Sequence, residues 1–311
     1  MVDVARRAGV SVATVSNVAR GTAPVADETR ERVQRAIKEL GYRHNEVARA
    51  LRRSATQTLG VVMPDPLNPF YASIAQHVER RARRDGYAVL MADTELDPDT
   101  EAAQVRVLVE RRVDGVVFPG VTEGSTIPRE LLDRGIPVVA ASFSADDLRL
   151  GVVDIDTAAG MEAVVEHLVG LGHERIAFQA LERREEAIDI RPEALRAALV
   201  RRGLDLVDIS DSPTAICATD DVRAIELLDR LARARTRVPE NVSVVGFDDI
   251  PMAGHAAIGL TTVHQDAERM GTRAAELLLA AIAERRPVAH RELHPAPLVV
   301  RRTTGPARRR A

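Results

Sequence analysis

Tryptophan is absent from this chain, and three tyrosines and five phenylalanines bring aromatics to only 3% of 311 residues. Its core must therefore be aliphatic, drawn from a hydrophobic content of 45%. Cysteine is nearly absent too. Cys217 stands alone and can form no intrachain disulfide, so a reducing cytoplasm is the expected compartment. No apolar run reaches the roughly 20 residues that span a bilayer. The N-terminus carries no signal-peptide pattern, and neither a membrane nor export is expected. P-loop, HExxH, GxSxG and CxxC signatures are all missing, so the sequence reads as a non-enzyme with no cofactor. His290 and His294 are four residues apart, but Pro287 and Pro295 flank them. They read as a solvated loop and no metal is expected there. His167 and His173 fall at a helix end and its turn, where capping accounts for them.

The formal net charge of −3 hides a split. Residues 1–57 carry 11 Lys+Arg against 6 Asp+Glu, a net of +5, and the remainder carries 32 against 40, a net of −8. A basic head on an acidic body suits a nucleic-acid contact made by the head alone. Inside that head lies DVARRAGVSVATVSNV, Asp3 to Val18. Val4, Ala5 and Ala8 share one face of a first short helix. Gly9 sits where a helix ends in a left-handed residue, a conformation glycine reaches without a Cβ clash. Ser11 can cap a second helix, whose inner face holds Val15 and Val18. This is the pattern of a helix-turn-helix, whose second helix enters the DNA major groove.

A third helix is predicted from about Asp27 to Leu40, with Val33, Ala36, Ile37 and Leu40 at i, i+3, i+4, i+7. NEVARALRR follows, from Asn45 to Arg53. Asn45 can cap a short helix on which Val47 and Leu51 share a face among arginines. Nine residues are too few for a lone helix in water. An anionic groove could order it, with Leu51 as an apolar wedge between base pairs. Without DNA the segment is expected to be a disordered linker.

From Thr58 onward strands alternate with helices, the sign of parallel sheets covered on both faces. Two such units in series make two lobes with a cleft, and ligands bind at the carboxyl ends of the strands. The fold class is α/β: a three-helix headpiece over residues 1–44, a hinge and linker over 45–57, and a two-lobed core over 58–311. The first lobe takes about 58–157 and 264–287, the second about 158–263 and 288–304. PLVVRRTT is expected as the last strand.

At this point the chain resembles the lactose-repressor (LacI/GalR) family of bacterial transcription factors. DVARRAGVSVATVS, ETRERVQRAIKELGY, NEVARALR, VVMPDPLNPFYA, RRVDGVVF, EHLVGLGHERIAF, VPENVSVVGFDDIP and LTTVHQDAERMGTRAAELL carry the resemblance. It implies a homodimeric or tetrameric repressor of double-stranded operator DNA. It also implies a periplasmic-binding-protein-like core that takes a small effector, most often a sugar. Base-reading positions carry over onto Val12, Ala13 and Asn17. Valine and alanine offer only apolar contact, and asparagine favours adenine where the family's usual arginine favours guanine. Arg20 would meet phosphate, and Ser11, Thr14, Ser16 and Thr29 would be phosphate or structural hydroxyls. Asn45, Arg49 and Leu51 match the hinge, with Leu51 the intercalating leucine. Effector positions carry over as Phe70 and Tyr71 at the cleft rim, with Arg191, Asp220 and Asp248 inside it. Phe70 and Tyr71 could instead pack the first core helix, and Asp248 could simply cap a turn.

Several departures stand out. Ala26 replaces the serine that usually caps the third helix, Asp220 replaces a usual asparagine, and LERREEAIDI replaces a Gly/Ser-rich pocket loop. Between Gly203 and Thr214 the family has some thirty residues more. If 204–209 is a strand, too few residues follow it for a helical crossover to TAICAT, so the second lobe is expected to be one helix short. Two other functions therefore stay open. One is a constitutive DNA-binding regulator whose core only dimerises. The other is a solute-binding protein, against which the headpiece counts.

Overall fold

The computed structural model describes residues 1–20, 23–41, 55–120, 125–142, 149–179 and 190–308. The chain divides into two units, Met1–Thr56 and Gln57–Ala311.

In the first unit, α1 (Val2–Ala8), α2 (Val12–Arg20) and α3 (Asp27–Glu39) close around Val4, Ala5, Ala8, Val15, Val33 and Ala36. Gly9 ends α1 at φ 64°, ψ 39°, the left-handed conformation its position predicts. Ser11 Oγ accepts the Thr14 N–H at 3.0 Å and so caps α2. No side chain caps α3 at Ala26, where a serine cap would contribute about 1 kcal/mol. Leu40, expected on the inner face, is the C-cap residue and is exposed. The helix ends at Glu39, one residue before Leu40 would extend that face. The Arg7 guanidinium donates to Glu39 at 2.9 Å and ties α1 to the end of α3. The expected hinge helix at 45–53 lies outside the described residues.

The second unit contains two six-stranded sheets. Thr58–Met63 (β1), Ala88–Asp93 (β2), Gly115–Phe118 (β3), Val138–Ala141 (β4) and Gly151–Ile155 (β5) alternate with three helices. These are α4 (Pro69–Arg84), α5 (Pro98–Glu110) and α6 (Ile127–Asp133). Along β1, Leu59, Val61 and Met63 face one buried cluster while Val62 faces another, so the sheet is covered on both sides. The second sheet begins after α7 (Thr157–Gly170). It comprises Ile176–Gln179 (β6), Leu206–Val207 (β7), Ala215–Ala218 (β8), Ser243–Asp248 (β9) and Thr261–His264 (β10), with helices α8 (Arg191–Val200) and α9 (Asp221–Arg233). The chain then returns to the first lobe as α10 (Ala267–Glu284). There α10 crosses α4 at Gly271, where a Cβ would come within 2.4 Å of the Ile74 carbonyl oxygen. Two further strands follow, Arg291–His294 (β11) and Leu298–Val299 (β12).

β11 corrects the sequence reading. Residues 291–294 form no solvated loop, though His290 before them is exposed. They pair in parallel with β5 at the edge of the first sheet, order β11-β5-β4-β3-β1-β2, although 288–304 was expected in the second lobe. His294 is buried, and the Arg273 guanidinium donates to Glu292 at 3.0 and 3.1 Å. An edge strand reading RELH lacks the apolar run by which a buried strand shows itself. The last strand is also shorter than PLVVRRTT suggests, and it pairs antiparallel with β10. His173 is no cap. It is buried, with Nδ1 2.9 Å from Thr214 Oγ1 and Nε2 3.0 Å from the Gly305 carbonyl. Neutral imidazole, accepting from one and donating to the other, suits both contacts. His167 Nε2 likewise sits 2.9 Å from Thr304 Oγ1.

The second sheet runs β12-β10-β9-β8-β6-β7. β7 and β8 flank β6, and Leu206 and Ala215 both register with Ile176. Because β7 has only two residues, the chain need not travel far to start β8 at the same level. A short 3-10 turn, Ile209–Asp211, makes the passage around the start of β6. The Arg175 carbonyl accepts Thr214 N–H at 2.9 Å, and the Arg175 guanidinium reaches the Asp211 carbonyl. No helix lies between the two strands, as the deficit of residues predicts.

Replacing Gly271 by alanine should lower stability by about 1–3 kcal/mol, because the methyl would press on backbone. Gly170→Ala serves as the control, since a Cβ there meets nothing within 4 Å and alanine favours a helix by roughly 0.5–1 kcal/mol. Thermal melts of the two variants compare them. Equal melting temperatures would remove the close-packing account.

Candidate DNA-reading face and effector crevice

On the headpiece, Val15 is fully buried while Ser11, Val12 and Ala13 at the start of α2 are exposed. Val12 is 42% exposed, so its methyl groups are open to a partner surface. Thr14, Ser16, Asn17 and Thr29 are half-buried. Ser11 and Thr14 hydroxyls lie 2.9 Å apart. The exposed first turn of α2 therefore offers apolar contact, with the Asn17 amide one turn further on. Asn45, Arg49 and Leu51, and the side chain of Arg20, lie outside the described residues.

The core places its crevice by topology. The chain passes between lobes at three points, after β5, after β10 and after β11. Each is the carboxyl end of a strand, so the carboxyl ends of both parallel sheets meet where the lobes join. On the first-lobe side, Asn68 caps α4 by accepting the Phe70 N–H at 3.0 Å. Tyr71 packs beside Gly120, at the carboxyl end of β3. Phe70 does not line the rim. It is 4% exposed and belongs to the core, with its ring 5.5 Å from that of Tyr71. Successive helical residues point about 100° apart, so both rings cannot face the crevice.

The second-lobe side is polar. Asp220 caps α9, its Oδ1 accepting the Arg223 N–H at 2.8 Å. Asp221 is wholly buried; Oδ1 accepts from Thr262 Oγ1 at 2.6 Å and Oδ2 from the Ile250 N–H at 2.8 Å. That geometry needs Gly246 beneath it, since a Cβ there would fall 2.1 Å from Asp221 Oδ1. Asp248 ends β9 at φ 115° and Asp249 follows at φ 58°. Non-glycine residues in that region are strained and cluster at functional sites. Gln265 Nε2 donates to Asp248 Oδ1 at 2.6 Å, and Ser142 Oγ donates to Gln265 Oε1 at 3.4 Å. This makes a hydrogen-bonded path from the end of β4 to Asp248. Arg191 opens α8 with its guanidinium carbon 5.1 Å from the Phe247 ring centroid.

Charge in this crevice is poorly compensated. Burial raises the Asp248 carboxyl well above its ordinary value; Arg191 opposes the shift, and Asp220 and Asp221 add to it. Burial also raises Asp220, against the Arg223 N–H and Arg191. Asp221 is pushed up to about 7, chiefly by burial and against its two hydrogen bonds. So Arg191, Asp220 and Asp248, grouped above through the family resemblance, share one electrostatic environment. Asp221 and Gln265 were missed. Two adjacent aspartates at a helix start look alike in sequence, and only the fold buries the second.

Comparison with known proteins bears on this arrangement. A model of the bacterial regulatory proteins of the lacI family matches residues 1–45. A model of the periplasmic binding proteins and sugar binding domain of the LacI family matches residues 56–212, half of the chain. The chain belongs to the LacI family. A periplasmic binding protein-like domain model also matches residues 165–304. Among curated members, the HTH-type transcriptional regulator DegA of Bacillus subtilis (strain 168) is 30% identical, with 98% of this chain and 97% of DegA covered. That alignment spans 328 positions, more than the chain's 311 residues, so this member carries deletions relative to DegA. The ribose operon repressor of Escherichia coli (strain K12) is 30% identical over 91% of this chain and 93% of its own. Among solved structures, the Lac repressor dimer bound to operator and the anti-inducer ONPF matches with a TM-score of 0.84. Its identity is 26%, over 97% of this chain and 98% of that one. The complex of the transcriptional regulator CelR with cellobiose gives 0.69 at 29% identity, over 97% and 98%.

Asp221 ties stability to pH. Its folded value of about 7 lies above the ordinary 3.8, so the neutral form is favoured on folding. The stability this gives is complete below about pH 4 and is lost as pH rises through 7. Asp221→Asn stays neutral throughout and can keep one acceptor for the Ile250 N–H. Its melting temperature should gain on the parent's between about pH 5 and pH 8, by roughly 2–4 °C for each kcal/mol. A pH-independent difference would show that Asp221 does not titrate there.

Proposed function

We propose that this protein is a sequence-specific, DNA-binding transcriptional repressor whose operator affinity is set by a small effector held between the two lobes. The observation that carries the reading is the union, in one chain, of an exposed reading helix with a strained polar crevice. Asp248, Arg191 and Asp220 converge there at the carboxyl ends of parallel strands. Effector and operator binding would be linked reciprocally, with the Ser142–Gln265–Asp248 path sensing the approach of the lobes. The crystallised CelR relative holds cellobiose, which supports a sugar-like effector here. The acting form is a homodimer, in keeping with the dimeric Lac repressor. The edge strand β2 exposes Leu90 and Met91, and a second copy is their natural cover. Binding chromosomal DNA places the protein in the cytoplasm. No helix among the described residues is long and apolar enough to cross a membrane. The buried Cys217 thiol, pushed up to about 12 by desolvation, is inert.

Operator fragments retained by the purified protein from the source genome would define its consensus. Asn17→Arg should then move the preference at one base pair of each half-site from adenine to guanine, a discrimination worth about 1–3 kcal/mol. An unchanged consensus would remove Asn17 from the reading surface. A compound that raises the melting temperature by mass action should also change operator affinity. Asp248→Ala should abolish both effects while the headpiece still binds DNA. Full ligand response in Asp248→Ala would exclude the crevice as the effector site.

A further inference from the structure

Four carboxylates, Asp220, Asp221, Asp248 and Asp249, gather at the carboxyl ends of β8 and β9. Among the described residues, the cations around them are mostly engaged. Arg301 donates to Asp249 at 2.6 Å and to the Leu260 carbonyl at 2.8 Å. The His264 imidazole, 3.0 Å away, faces the other oxygen of Asp249. Arg223 is held by both oxygens of Glu226, at 2.7 and 2.8 Å. Arg191 acts on Asp220 and Asp248 together. Asp221 has only the neutral donors Thr262 and Ile250 N–H. Burying carboxylates in excess of their cations is costly, and a proton or a bound cation relieves the cost.

A second observation is independent of charge. Gln179 ends β6, and its carbonyl accepts the Thr219 N–H at 3.1 Å. That bond sets it beside the turn into Asp220. The residue is 7% exposed, and its side-chain Oε1 is buried without a hydrogen-bond partner. Buried acceptors of this kind are rare in folded proteins. Among the described residues, the crevice therefore gathers more carboxylate and carbonyl acceptors than cations.

We propose that the effector carries a protonated amine on a polyhydroxy frame, an amino sugar or amino alditol, with Asp220 and Asp248 recognising the ammonium and Gln179 Oε1 accepting a further N–H or O–H. An ammonium supplies three donors and no acceptor, which complements the carboxylates gathered among the described residues. Charge-assisted hydrogen bonds to carboxylate are roughly twice as strong as neutral ones. Asp220 is the specificity-determining residue, because its carboxylate has no N–H to offer a neutral ligand. The inference rests on the effector reading of the crevice.

The test uses the full-length protein at about neutral pH and three matched pairs: D-glucosamine and D-glucose, D-galactosamine and D-galactose, glucamine and sorbitol. Titration calorimetry and thermal shift are run on the parent and on Asp220→Asn, a change that keeps a good helix cap. The parent should bind the amine of at least one pair about tenfold or more tightly than its hydroxyl partner. Asp220→Asn should lose that preference while still binding the hydroxyl partner at least as well as the parent does. Preference for the hydroxyl partner, no binding of any amine, or an undiminished amine preference in Asp220→Asn would overturn the inference. A wider screen of neutral and anionic metabolites separates the two readings. A stabilising ligand found there would leave the effector reading standing without this one, and none at all would remove both.

Discussion

Parallel strands that all end at one edge are the constraint from which the rest of this core follows. In each sheet the pairing of β1 to β5 or of β6 to β10 brings every carboxyl end to the same side. The chain crosses between lobes only after β5, β10 and β11, so those two edges meet. Residues far apart in sequence, such as Tyr71, Arg191, Asp220 and Asp248, are delivered to one region without any local signal linking them. Helix starts and strand ends also leave backbone N–H groups pointing there, and Asp220 is used on one of them.

That meeting place is held at some expense. Asp248 and Asp249 take left-handed backbone conformations that a glycine would adopt freely. Gly246 gives up its side chain so that Asp221 can lie against β9. Among the described residues, the buried carboxylates outnumber the cations beside them. Such features cluster at functional sites, and on that ground the crevice is proposed as the effector site. The Gln265 amide joins this site to Ser142 across the lobe junction.

Much of this was legible before any coordinates. Gly9, Ser11 and the inward valines marked the headpiece because local backbone chemistry decides turns and caps. Strand–helix alternation marked the lobes, because buried parallel strands are continuous apolar runs. The short segment after Gly203 excluded a helical crossover by length alone, and the two-residue β7 is how the chain accommodates it. The misreadings share a cause. β11 is an edge strand whose partner, β5, is more than a hundred residues away. Phe70 and Tyr71 are adjacent in sequence, and helix phase alone separated core from crevice. His173 looked like a cap until the chain's end was laid against it.

The amino-acid sequence by itself determined the elements, their order, the family and the chemical types available at the site, since each of these follows from local periodicity, turn chemistry and motif spacing. Tertiary structure alone decided which of two adjacent aspartates is buried, which aromatic faces the crevice, where residues 291–294 pair, and how many cations answer the gathered carboxylates. Those outcomes depend on burial and on contacts between distant segments, and no window of sequence contains both partners of such a contact.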